Sequence, residues 1–498
     1  MFSPDEATAI EEFPSIAWRA AEVLRKNDLG TWTKPAPNLY PHQWSWDSAF
    51  IAIGLAHLDI RRAARELVTL FNAQWKTGKV PHIVFNPSAP LSGYFPGPGR
   101  WNCNSISPDA PAAVHTSGLC QPPVHAIAAR RIWEVASGYE GTEEEVVVTS
   151  FARSFLKDIY PSLLAWHRYL ATYRDPEESG LVTIYHPWES GTDNSPRWDR
   201  ALAAVEPKEV APYVRCDLQH VEDPSERPTA AEYEHYMWLL ESLKQEARYD
   251  EATIYESHPF LVKDVLFSAI LVAANEALLE ISEIVGAPQE DQELIDGWIS
   301  RGRRGLEECW EPDLKLCLDY DLRAQRPVRV RTLAGFAPLM AGELFPERRK
   351  ALLETLDSEQ FAGNEQLCWS YLVPSTSPGE EGFHPRSYWR GPSWPVADWL
   401  LWWSLNRAGE KERARKIRKT SLERLVRKGG FAEYYEPYTG EALGSANQSW
   451  TAAVALDWLA EENRGFTRQW TPCRGRYALD TMRRVCETPR AASSSLPA

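Results

Sequence analysis

The sequence predicts an all-α fold, an (α/α)6 barrel of six helical hairpins, on three observations. Helical periodicity recurs along almost the whole 498-residue chain, while alternating strand-like runs are rare. The helices are of two kinds, one apolar nearly all round and the other apolar on a single stripe, as two concentric layers require. Long loops at 78–122, 180–228 and 357–392, rich in Pro, Gly and Trp, exceed what a connection needs and would crowd one mouth of a barrel.

Helices are expected over 6–26, 45–56, 60–77, 123–137, 143–173, 229–249, 258–285, 291–310, 333–344, 346–356, 394–407, 412–428 and 449–462. The stretches 46–58, 265–274 and 394–405 offer no polar face to solvent, so they belong to an inner ring. The stretch 412–428 is amphipathic with a basic face and suits the outer ring. Stops are legible: Gly286 with Pro288 ends one helix and Gly409 ends another. A minor strand run falls at 328–330. With no convincing interdomain linker, 1–483 reads as one catalytic domain. The tail 484–498, rich in Ser, Ala and Pro, reads as disordered.

Composition narrows the function. With 54 basic and 69 acidic residues the net charge is −15, which argues against nucleic acid and against an anionic membrane surface as partners. The longest apolar run, 265–274, is too short for a span of about 20 residues. The first 13 residues are acidic and lack the apolar core of a signal peptide. The eight cysteines form no CxxC pair and no zinc spacing, so free thiols in a reducing compartment, the cytoplasm, are expected. P-loop, GxGxxG, GxSxG, HExxH and EF-hand patterns are all missing, so no cofactor and no metal are expected. A small-molecule substrate is the expected partner, and homo-oligomerisation is left open.

The 22 tryptophans against 4 methionines are the unusual count. Trp packs cores, but its flat face also stacks on sugar rings, and here it is concentrated in loops. Five aromatic-polar segments recur between helices. His186–Asp199 carries Asp193 two residues after Gly191 and near Trp188, with Glu189 and Asp199 as rivals. A second segment, 430–441, places Glu433, Glu436 and Glu441 among aromatics, and composition does not choose among them. Tyr40, Trp44, Trp46 and Asp47 lead into a buried helix. Tyr388, Trp389, Arg390 and Trp394 lead into another, and Gln448 and Trp450 into a third. Each segment alone is also what caps, turns and core packing would produce. Together they fit a carbohydrate pocket with two carboxyl groups for acid–base work.

The segments YPHQWSWDSAF at 40–50, HPWESGTDNSPRW at 186–198, YWRGPSWP at 388–395 and EYYEPYTGEALGSANQSWTAA at 433–453 resemble glycoside hydrolase family 63. PDLKLCLDYDL at 312–322 and RTLAGFAPLMAG at 331–342 do so too. The likeness is greatest to the branch of bacterial mannosylglycerate and glucosylglycerate hydrolases, and it runs from about Tyr40 to Trp458. The resemblance implies the barrel, hydrolysis with inversion, Asp193 as general acid and Glu433 as general base. It implies a sugar subsite of Tyr40, Trp44, Trp46, Asp47, Gln121, Trp188, Gly191, Trp389, Trp394 and Trp450. Around an acidic leaving group it points to Tyr94, Arg215, Tyr388 and Gln448. The substrate it implies is a small α-glucoside or α-mannoside, with glucosylglycerate and mannosylglycerate foremost. Neutral disaccharides or oligosaccharides of trehalose, kojibiose or nigerose type are the alternative, and a non-catalytic carbohydrate-binding protein is the alternative of another class.

Overall fold

The computed structural model describes residues 4–463 except 91, 139–144, 220, 222, 342 and 343. The expected disordered tail 484–498 and the last part of the expected domain lie outside the described residues. The fold is built from helices packed on helices. Ser45–Ala56 is buried at every position, as an all-apolar helix must be. It contacts His125–Ser137, which contacts Val265–Val285. The series continues through Leu333–Ala341, Pro395–Arg407 and Ser449–Asn463 and returns to Ser45–Ala56. A further helix packs against each member: Ile60–Phe71, Glu145–Tyr173, Gln289–Glu308, Pro346–Leu356, Lys411–Lys428 and Pro4–Asn27, in the same order. Ser45–Ala56 and Ser449–Asn463 approach closely at Gly54, where a Cβ would come within 2.3 Å of Ala453 Cα. Buried apolar side chains from all these helices join in one cluster.

Caps set the helix ends. The Asp59 carboxylate accepts from the backbone N–H groups of Arg61 and Arg62 at 2.8 and 3.1 Å, starting Ile60–Phe71. Asp264 does the same for Leu266 and Phe267 at 2.8 and 3.1 Å, starting Val265–Val285. That helix is long and apolar enough to cross a membrane, but 78% of its most apolar window is buried inside the fold.

Short strand pairs sit directly before the inner helices. Gln43–Trp44 pairs with Ile83–Val84 ahead of Ser45–Ala56. Tyr434–Tyr435 pairs with Ala442–Leu443 ahead of Ser449–Asn463 and bridges to Ser393 ahead of Pro395–Arg407. A four-stranded antiparallel ribbon runs in the order Thr183–Ile184, Val262–Lys263, Tyr320–Asp321, Arg326–Pro327.

Several boundaries differ from expectation. The helix expected over 60–77 ends at Phe71, because the chain turns back with Trp75 N–H donating to the Lys79 carbonyl at 2.9 Å. The one expected over 229–249 ends at Glu241 and passes into a π-helical turn, Ser242–Glu246. The stretch 258–264 is strand and cap, so its helix starts at Val265. Residues 333–341 form a 3-10 helix around Pro338, which cannot donate a backbone hydrogen bond. The strand expected at 328–330 lies at Arg326–Pro327.

Candidate active site

Three loops converge before the N-termini of inner helices. The first carries Tyr40, Trp44, Trp46 and Asp47. Its strand register is fixed by Gln43, whose side chain donates to Ser48 Oγ at 3.0 Å and to the Glu66 carbonyl at 3.1 Å. The Trp46 N–H donates to Gln121 Oε1 at 3.3 Å, tying in the loop at 121. Trp44 meets Tyr40 and Tyr94 edge-on, each with ring centroids 5.1 Å apart.

The second loop carries Asp193. Pro187–Ser190 is a 3-10 turn capped by His186, whose Nδ1 accepts from Trp188 N–H at 3.1 Å. Glu189 anchors it from within. Its carboxylate takes both arms of Arg174 at 2.7 and 2.8 Å and the backbone N–H groups of Tyr185 and Cys120 at 2.7 and 3.1 Å. These partners outweigh desolvation and hold Glu189 down at about 2, so it is a fixed anion. Gly191 has φ +72°, and a Cβ there would come within 2.5 Å of the Trp46 ring, so only glycine fits. Asn194 clasps the loop at 388–394, accepting from Trp389 N–H at 2.8 Å.

The third wall carries Glu433. Its Oε1 accepts from the Tyr40 hydroxyl at 2.6 Å and from the Tyr388 hydroxyl at 3.4 Å. Its Oε2 accepts from Ser445 N–H at 2.8 Å and lies 3.7 Å from an arm of Arg227. Each carboxylate oxygen can accept twice, so room remains for a water proton. Arg227 is buried, donates to the Tyr40 hydroxyl at 3.2 Å and lies over the Tyr388 ring at 4.7 Å.

Electrostatics separate the carboxyls. Asp193 is partly exposed, and its carboxyl has no hydrogen-bond partner on another described residue. Desolvation, with the charge of Glu433 against the opposing pull of Arg227, pushes it up to about 7. Asp47 is buried and is likewise pushed well up, first by desolvation and then by Glu433 and Asp193. Three carboxyl groups far apart in sequence thus feel one another's charge. Buried donors without acceptors among the described residues, Arg227 Nε–H and the Trp450 indole N–H, lie in the residues of these walls. A polyhydroxylated acidic ligand could satisfy such donors.

Other predicted positions fall into place around this cluster. Tyr388 adopts φ +38°. Trp389 stacks on Trp394 at 3.8 Å, and Trp394, fully buried, stacks in turn on Tyr434 at 4.5 Å. Trp394 is therefore the filling behind Trp389 rather than a face open to ligand. Trp450 meets Trp46 edge-on at 5.6 Å, and Trp188 stacks on His82 at 6.4 Å. Gln448 is buried, its Oε1 accepting from the Ser445 hydroxyl at 2.7 Å. Tyr94 is pushed above the usual phenol range by desolvation, then by Asp193 and Asp217.

Arg215 is engaged elsewhere. It forks onto Asp217 at 3.0 and 2.5 Å and donates to the Pro228 carbonyl at 2.7 Å. The cation facing the carboxyls is Arg227, twelve residues on, which the sequence reading missed; its only signal was membership of the same charged, Pro-rich stretch. His82 was missed as well. It is buried, its Nδ1 has no partner among the described residues, and burial lowers it to about 3. Of the rivals, Asp199 pairs with Arg390 at 2.6 Å, Glu441 pairs with Arg386 at 2.6 Å, and Glu436 caps the turn at Tyr438 and Thr439. Among the described residues no cluster of His, Cys, Asp and Glu could hold a metal ion.

This constellation can be set beside known proteins. The family described as "Mannosylglycerate hydrolase MGH1-like glycoside hydrolase domain" fits residues 40–451. A glucosylglycerate hydrolase from Mycolicibacterium hassiacum is 48% identical over 444 residues, 89% of this chain and 97% of that one. A mannosylglycerate hydrolase from Thermus thermophilus is 41% identical over 88% of this chain and 99% of its own. The crystal structure of a GH63 mannosylglycerate hydrolase from Thermus thermophilus, in complex with Tris and D-glycerate, superposes with a TM-score of 0.79 at 39% identity, covering 89% of this chain and 99% of that one. A match of this extent leaves one assignment: the chain belongs to the MGH1-like glycoside hydrolases of family 63.

Proposed function

We propose that this chain is an inverting α-glycoside hydrolase whose substrate is a small acidic α-glycoside, glucosylglycerate or mannosylglycerate. The reading rests on one observation above all. A partly exposed Asp193 carboxyl, held up to about 7, shares the charge field of a Glu433 carboxylate oriented by Tyr40 and Ser445. Asp193 is then still protonated near neutral pH and donates to the glycosidic oxygen. Glu433 takes a proton from water on the opposite face of the sugar. Inversion requires a separation of roughly 6.5–9.5 Å between the two carboxyls, leaving room for that water. Two carboxyl groups and a water suffice for this chemistry, and no step calls for a cofactor.

The acidic leaving group is read from Arg227. Its guanidinium is buried beside Tyr40, Tyr388 and Glu433, and its Nε–H has no acceptor among the described residues. It is a better anchor for a carboxylate than Arg215, whose fork Asp217 already fills. Trp44, Trp46, Trp188 and Trp389, with Asp47 and Gln121, form the sugar-binding wall. The closed cycle of inner helices, each with an outer partner, supports reading the fold as an (α/α)6 barrel, and the single buried cluster supports one catalytic domain. Free thiols at Cys103, Cys120, Cys309 and Cys317 fit a cytoplasmic enzyme.

The test is a panel of glucosylglycerate, mannosylglycerate, trehalose, kojibiose and nigerose, with the released anomer followed by proton NMR. The acidic glycosides should be cleaved best, and the β-sugar should appear first. An initial α-sugar would exclude inversion, and preferential cleavage of neutral disaccharides would exclude the acidic substrate.

A further inference from the structure

Away from the active site, side chains converge on a second open space. A cleft of about 370 Å³ lies between the helix Lys411–Lys428 and the turn at 368–371, with Trp369, Tyr371, Arg415, Lys416, Lys419 and Arg427 around it. It sets four cations against one carboxylate, Glu423, in a chain whose net charge is −15. Arg415 holds Glu412 at 3.0 Å and Lys419 lies 3.9 Å from Glu423. Lys416 and Arg427 have no carboxylate within ion-pair distance among the described residues and instead lie over aromatic rings. Lys416 Nζ is 4.9 Å from the Tyr371 centroid and Arg427 Cζ is 5.7 Å from that of Trp369. Glu412 and Glu423 on the same helix offset part of this charge, and the cleft keeps an excess of cations over carboxylates.

Two further features point the same way. Tyr371, which lines the cleft, is held at φ +71°, a strained conformation for an aromatic residue, and is 41% exposed. Trp369 lines the cleft and is 7% exposed, with its indole nitrogen packed against Gly440 on the side away from it. Cations bind phosphate oxygens, aromatic faces take a flat ring, and the volume suits a ligand of a few hundred daltons.

We propose that this cleft binds a small ring-bearing phosphomonoester, its ring against Tyr371 and Trp369 and its dianion among Lys416, Lys419 and Arg427. The phosphate could come on a sugar or on a nucleoside, and the probes distinguish these. Calorimetry on the full chain at low salt should use AMP, glucose 6-phosphate, inorganic phosphate and glucose, with wild type and the double variant Lys416→Ala/Arg427→Ala. The expected result is saturable binding of AMP or glucose 6-phosphate, at least tenfold tighter than inorganic phosphate, and none of glucose. The double variant should bind at least tenfold more weakly while its hydrolase activity is unchanged. No saturable binding, binding unaltered in the double variant, or inorganic phosphate binding equally well would each overturn the proposal. So would loss of self-association in the double variant without any phosphoester binding, which would make the cleft a contact between copies.

Discussion

Replacing Arg227 with Met keeps much of the side-chain length and removes the charge, and the structure says what should follow. At 3.7 Å from Glu433 the guanidinium contributes about 4.5 kcal/mol of attraction at an effective dielectric near 20, before desolvation is counted. The same group pulls Asp193 downward against burial. Two effects are expected. A substrate carboxylate loses its buried partner, which costs about 2–5 kcal/mol, or roughly 30- to 5,000-fold in kcat/KM. A neutral α-glucoside should lose far less. The general acid works only while protonated, so activity falls as pH rises through about 7 in the wild type. Without Arg227 the Asp193 carboxyl titrates higher, so that alkaline limb should move to higher pH. The assay is kcat/KM against pH for glucosylglycerate and for methyl α-glucoside, in both proteins. An unmoved or downward-moving limb, or equal losses on the two substrates, would refute the placement of Arg227 between acid and acceptor.

Three other substitutions probe the rest of the site. Asp193→Asn should lower kcat by about 10²–10⁴-fold. The native carboxyl binds its proton more tightly than the unfolded chain, 7 against 3.8, so its contribution to stability drains away as pH rises between those values. The Asn variant should therefore be more stable than wild type at pH 8, by about 1–3 kcal/mol after solvent screening, and not at pH 4, as thermal melts at both values would reveal. Tyr40→Phe removes the 2.6 Å bond to Glu433, worth about 1.5–3 kcal/mol, and should cut kcat roughly 10- to 150-fold with unchanged circular dichroism. Glu189→Gln takes the bidentate partner from the buried Arg174, which keeps Glu251 at 3.5 Å, and should destabilise the fold by up to about 3–5 kcal/mol in urea titration, with an added Arg174→Met change restoring part of it.

The inner helices were legible because burial on every side leaves no polar stripe to mistake. Ser45–Ala56 was placed to the residue, and Pro395–Arg407 and Ser449–Asn463 to within one. Where the chain leaves the helix for two-residue strands, as at Val262–Lys263, local pattern carries too little signal, since the pairing partners are distant. The same reason separates Asp193 from Glu189. Both sit in one aromatic loop, and only Arg174, folded back beneath it, makes Glu189 a strut. Arg227 could not be told from Arg215 by neighbours in sequence; Asp217 claims one and leaves the other. Trp394 entered the expected sugar subsite through the family resemblance alone, which carries no information on how Trp389 and Tyr434 cover its two faces.

The helical pairs are joined unequally. The passages from inner to outer helix are brief, at 57–59, 286–288 and 408–410, whereas the returns, at 28–44, 72–124, 174–264, 357–394 and 429–448, hold most of what could meet a substrate. The molecule thus has a chemical pole and a plain one. New specificities could be grafted by exchanging return segments between relatives, and tags or fusion partners are best attached at the hairpin turns of the plain pole, where nothing that recognises sugar would notice them.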